Sequence, residues 1–182
     1  MHRSSVLIAV TLMISQVTLA SDEAPRYDVP QPAHELLKRL AGDWRFERQS
    51  VPAEGSAPTT LGTGTISAEM LGDFFVVSRW SGDVYGADYH AFQALGFDIE
   101  QEKYTGTWID SWIGYRWELS GTVDEESQEL TMTTRGPGPT GGTADFRERY
   151  QFASADSITI LGEMERGDKW VPITTTRLTR ER

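Results

Sequence analysis

Glu148 is an acid standing where a strand pattern asks for an apolar residue. Within residues 144–152 it alternates in step with Phe146, Tyr150 and Phe152, the face that a half-buried strand turns inward. Arg48 follows Trp44 and Phe46 in the same way, and Arg79 follows Phe75 and Val77. A lone carboxylate taken out of water costs several kcal/mol or takes up a proton, so Glu148 is expected to find one of these arginines or a water cluster. A bulge between Glu148 and Tyr150, turning the acid outward, is the competing reading. An arginine–carboxylate pair in an apolar enclosure could orient the polar head of an amphipathic ligand. In that case Glu148→Ala should cost about 3 kcal/mol or more, because it strands a buried arginine.

Other reactive side chains are better explained by their local setting. Asp98 and Asp110 bracket the hairpin 95–111 and could act as a carboxylate pair, but an aspartate at a strand end ordinarily bonds its own backbone and starts the turn. Ser111 stands beside Asp110 without a G-x-S-x-G turn or a histidine base placed for it, which argues against a hydrolase. Beyond His2 the histidines are His34 and His90, in different elements and without a second ligand one strand step or helical turn away, so no metal centre is expected. His34 is expected on a solvated helix and His90 packed beside Phe92. Gly62, Gly64, Gly136, Gly138, Gly141 and Gly142 lack the Lys-Ser/Thr and helix of a phosphate loop, and read as strand and turn glycines.

Strands must position these residues. In the hairpin 95–111, Tyr104, Gly106 and Trp108 alternate with Thr105, Thr107 and Ile109, the period-two pattern of a strand with one face buried. Similar units recur at 43–49, 62–70, 74–80, 89–97, 115–123, 129–135, 144–152, 157–165 and 170–178. The segment 74–80 is apolar on both faces and is expected to lie under a covering element. Residues 33–40 place Leu36, Leu37 and Leu40 at helical spacing before Gly42 stops the helix. About ten strands and one short N-terminal helix, with no helices between strands, predict an all-β fold. Closing the sheet removes its exposed edges, so an antiparallel up-and-down barrel is preferred over a two-layer sandwich.

The chain has 182 residues and a formal net charge of −10. So acidic a surface repels nucleic acid and anionic lipid, which excludes both as expected partners. His2 and Arg3 precede an apolar run, 6–19, that ends in Thr18-Leu19-Ala20, the layout of a secretory signal peptide. The domain reading is therefore 1–20 signal peptide, 21–32 flexible lead and 33–182 one barrel domain, in a periplasmic or secreted protein. Without cysteine the core alone must hold such an exported chain together.

Several stretches together point to a family. HELLKRLAGDW, a glycine-rich second strand, LGDFFVVSRW, LGFD, YTGTWIDS, Leu130-Thr131 before a Gly/Pro loop, and a closing strand at Lys169-Trp170 with a terminal Arg resemble the bacterial family filed as domain of unknown function 1579. The resemblance spans about residues 33–180. It implies a lipocalin-like, calycin-type barrel with no established activity, entered through the G-x-W of Gly42-Asp43-Trp44, whose tryptophan closes the barrel bottom. Related barrels of the nitrobindin type bind haem through a histidine near the chain end, where this sequence reads Ile173-Thr174-Thr175-Thr176-Arg177. A haem role would have to use His90, Tyr150 or Met164, and no cofactor is expected.

The expected function is binding of a small apolar or amphipathic molecule in the barrel lumen. Trp44, Phe46, Arg48, Phe75, Val77 and Arg79 should line the first half of that pocket, and Trp108, Trp117, Glu148 and Tyr150 the second. Two alternatives stand beside it: an enzyme using His90 or Glu148 as general base, and an interaction protein whose acidic face meets a basic partner.

Overall fold

In the computed structural model, residues 27–52 and 56–181 are described. The signal peptide read at 1–20 and the first part of the lead lie outside them. Ten strands follow in chain order: β1 Gly42–Ser50, β2 Thr60–Leu71, β3 Phe75–Val84, β4 Ala87–Asp98, β5 Lys103–Asp110, β6 Trp117–Val123, β7 Leu130–Pro137, β8 Thr143–Ser154, β9 Ser157–Arg166 and β10 Lys169–Arg180. Each pairs antiparallel with its chain neighbour, and β1 pairs with β10, which closes the barrel. The closure leaves every strand with two partners and no open edge.

The turns follow from their residues. Asp98 accepts hydrogen bonds from the backbone N–H of Glu100 and Gln101, at 3.0 and 2.9 Å, and these bonds hold its carboxyl below the usual range. Asp110 accepts from Trp112 N and Ile113 N at 2.9 and 3.0 Å. Both aspartates therefore start turns, at opposite ends of β5, and do not form a catalytic pair. The Asp110 turn also delays β6, which begins at Trp117 rather than at Tyr115.

One end of the barrel is closed by a plug. A 3-10 turn, Pro32–His34, runs into the short helix α1, Glu35–Lys38, and its Leu36 and Leu37 are buried. Tyr104 donates its hydroxyl to Ala33 O at 2.8 Å, and Trp44 donates Nε1 to Leu40 O at 3.0 Å. Arg180 donates to Ala41 O at 2.7 Å while its guanidinium lies 4.0 Å from the centre of the Trp44 ring. His34, expected on a solvated surface, is instead 1% exposed, edge-on to Phe74 and Phe97. The helix sits across the barrel end rather than along its side, so its N-terminal turn faces the core.

Register decides which side chains enter the lumen, since directly paired residues share a face. Val76, Ser78 and Trp80 of β3 pair with Leu95, Gln93 and Ala91 of β4, and all of these are buried. Phe75, Val77 and Arg79, expected in the lumen, therefore lie on the outer face, where Phe75 is exposed and Arg79 sits over the Phe92 ring. The reason is parity: consecutive apolar residues at Phe74 to Val77 give no alternation to read, and only pairing selects the inner set.

Candidate functional site

The inner wall at the end away from the plug carries aromatic rings on one side. Phe46 of β1 lies 5.3 Å from Trp80 of β3, and Trp80 lies 5.4 Å from Trp108 of β5, centre to centre. Trp117 of β6 pairs with Trp108 and meets Phe146 of β8 edge-on at 5.6 Å. Large rings fit there because glycines face them. A Cβ on Gly136 would stand 2.3 Å from the Trp117 ring, and one on Gly64 would stand 2.6 Å from Phe46, so neither position accepts a side chain without displacement.

Polar groups occupy the rest of the wall. Gln93 donates Nε2 to the Tyr150 hydroxyl at 3.1 Å, and that hydroxyl donates to Glu148 Oε2 at 2.8 Å. Arg48 donates Nε to Thr176 Oγ1 at 3.3 Å, with its guanidinium beside the Tyr89 ring. Burial, opposed by the nearby Arg48 charge, pushes the Tyr89 hydroxyl up to about 12. Burial and then the Glu148 carboxylate hold Tyr150 well above the ordinary tyrosine range. Thr134 Oγ1, on the same inner face, is buried without a hydrogen-bond partner among the described residues.

Glu148 thus faces inward as the alternation implies, since the β8 irregularity falls between Phe152 and Ser154 and not beside Glu148. The expected arginine is missing from its contacts: no ion pair among the described residues includes Glu148, Arg48 or Arg79. Its partner is the Tyr150 hydroxyl, and its side chain is only half-buried. Glu148→Ala should accordingly cost about 2 kcal/mol, the scale of one hydrogen bond to a charged group, and not the cost of a stranded arginine. Urea denaturation of the variant reads this directly, and a loss above about 3 kcal/mol would restore the ion-pair reading.

Of the residues expected in the pocket, Arg48, Trp108, Trp117, Glu148 and Tyr150 meet in this upper lumen, and Phe46 forms part of its floor. Trp44 lies in the plug, and Phe75, Val77 and Arg79 lie outside. Sequence reasoning missed Trp80, Tyr89 and Gln93. The alternation Tyr89, Ala91, Gln93, Leu95 was available for the last two, but its polar member Gln93 obscures which face is buried. His90 is exposed on the outer face. It borders an open groove of about 640 Å³ with Arg79, Phe92, Ile109 and Ser111, so a general base at His90 cannot act on a lumen substrate. His90, Tyr150 and Met164 likewise do not converge on one haem site, because His90 points away from the other two.

The family described as "Protein of unknown function (DUF1579)" matches residues 29–180. No curated protein matches the sequence. Among solved structures the chain is similar to Rv2717c from M. tuberculosis, at 15% identity and a TM-score of 0.56, over 85% of this chain and 100% of that one. It is also similar to the S-type phycobiliprotein lyase CPES from Guillardia theta, at 16% identity and a TM-score of 0.52, over 82% and 93% of the two chains. At these identities the likeness is one of fold.

Proposed function

Since the chain belongs to this DUF1579 family, whose description names no activity, we propose from the lumen itself that it binds a small apolar or amphipathic molecule there. One observation carries the reading. Arg48, Trp108, Trp117, Phe146 and Glu148 all sit on the inner face by register, yet each is only half-buried. Water reaching inward side chains supports an upper barrel open to solvent, with aromatic walls and a few convergent polar groups, the usual make-up of a ligand site. That a phycobiliprotein lyase has a barrel of this shape is in keeping with the reading and adds no residue to it.

Trp80, Trp108 and Trp117 report on the site. Retinol or another apolar probe should quench tryptophan emission saturably, with the bound probe shielded from aqueous quenchers. If no retinoid, fatty acid or polyaromatic probe changes the emission at high micromolar concentration, the lumen is not a binding site.

Export is part of the proposal and is supported by the sequence of residues 1–20 alone. Protein from the extracytoplasmic fraction should begin at Ser21 on N-terminal sequencing. Met1 retained on cytoplasmic protein would overturn it.

A further inference from the structure

The two halves of the upper lumen offer different chemistry. On β3, β5 and β6 the inner wall is Trp80, Trp108 and Trp117. Two of these indoles already spend their N–H inside the wall, Trp80 on Ser78 Oγ at 3.1 Å and Trp108 on Asp110 Oδ2 at 3.1 Å. Half-buried Trp108 and Trp117 present ring surface to a ligand, and buried Trp80 backs Trp108. Across the lumen, on β1, β10, β9 and β8, the inner wall runs from Arg48 through Thr176 and Thr174 to Gly162 and Glu148.

That second wall holds a cation and an anion that do not meet. Arg48 and Glu148 lie three strands apart in the closed order, about 14 Å along the wall at ordinary strand spacing. Gly162 is the direct neighbour of Glu148, and a Cβ there would stand 2.5 Å from Thr174 Oγ1. No side chain from that position fills the space between the two charges. Arg48 gives its Nε to Thr176 and also bonds the Tyr89 hydroxyl, which still leaves part of its five-donor fork for a ligand, and Glu148 uses Oε2 on Tyr150, which leaves Oε1 without a partner among the described residues. Opposite charges on one partly desolvated wall would ordinarily pair or stay in water. Here both act on the Tyr89 and Tyr150 hydroxyls, and each keeps hydrogen-bonding capacity for a ligand, a donor side at Arg48 and an acceptor side at Glu148.

We propose that the lumen selects a flat ring compound with a hydrogen-bond acceptor and a donor on one edge, the acceptor toward Arg48, the donor toward Glu148, and the ring against the tryptophan wall. This rests on the lumen being the binding site. A ligand with only one of the two groups leaves the other, partly desolvated charge without its partner, and sites built for a polar group reject analogues that lack it far more strongly than they reject a missing methylene.

Calorimetric titration of the unmodified protein with four probes tests this. 2-Naphthamide carries acceptor and donor, methyl 2-naphthoate the acceptor alone, 2-methylnaphthalene neither, and undecanamide the same head on a flexible chain. The amide of naphthalene should bind at least about tenfold tighter than the ester or the hydrocarbon, and tighter than undecanamide. Arg48→Met and Glu148→Gln, each checked for an unchanged circular dichroism spectrum, should each shrink the amide-to-hydrocarbon ratio to about threefold or less. If the hydrocarbon binds within threefold of the amide, the lumen remains a binding site and this selection is overturned. If undecanamide binds tighter, the ring requirement is overturned. If none of the four binds and retinol also fails, the lumen reading itself has failed.

Discussion

Trp44→Ala should destabilise the protein by about 3–5 kcal/mol, the cost of emptying a fully buried aromatic site. Trp44 is 1% exposed. Its ring lies between the barrel interior and the Arg180 guanidinium, and its Nε1 satisfies Leu40 O at the end of the plug. Truncation therefore opens a cavity, leaves a carbonyl unpaired and frees the arginine that ties the last strand to Ala41. Equilibrium denaturation should show the loss with an early release of the plug, reported by Tyr104, whose hydroxyl bonds Ala33 O. Trp44→Phe keeps most of the ring and should recover more than half of the loss. A cost under about 1 kcal/mol, the range of surface substitutions, would mean that the plug does not depend on this residue.

Alkaline titration should produce the second large effect. Below about pH 10 the folded and unfolded chains both hold their tyrosine protons, so Tyr89 adds no pH dependence. As pH rises from about 10 toward 12, the unfolded chain releases a proton that buried Tyr89 retains, and the unfolded state is favoured. A shift from 10 to about 12 corresponds to roughly 3 kcal/mol lost across that window. Tyr150 is held up in the same direction by burial and by Glu148, so it steepens the fall. Stability measured in urea between about pH 8 and 11 should drop faster than the exposed tyrosines alone would cause, and Tyr89→Phe should flatten the curve. A profile unchanged by Tyr89→Phe would show that its hydroxyl titrates in contact with water.

Glu148 shows how far alternation carries an argument and where it stops. Phe146, Glu148, Tyr150 and Phe152 share a face in the sequence, and they share the inner face in the barrel. Which group answers the carboxylate is another matter. Arg48 is a hundred positions away in the chain, and its distance from Glu148 is set by barrel closure through β10 and β9, not by any local pattern. The sequence therefore offered an arginine, whereas the fold supplied Tyr150, two residues along the same strand.

β3 shows the complementary limit. Alternation fixes only which residues lie opposite one another within a strand, and Phe74 to Val77 lack even that signal. The choice between Val76, Ser78, Trp80 and Phe75, Val77, Arg79 was made by pairing with β4, where Leu95 and Gln93 are buried. A one-residue difference in parity exchanged a lumen tryptophan for an outer arginine.

The sequence by itself determined the all-β class, about ten strands, the positions of most turns and one short N-terminal helix, which ends at Lys38, ahead of Gly42, because period-two spacing and turn chemistry are local properties of the backbone. Tertiary structure alone decided that the helix plugs the barrel end, that His34 is buried, and that Arg48 and Glu148 share a lumen without pairing. Those outcomes depend on registers between strands distant in sequence and on closure of the sheet, and both are set by packing across the whole barrel rather than by any segment of it.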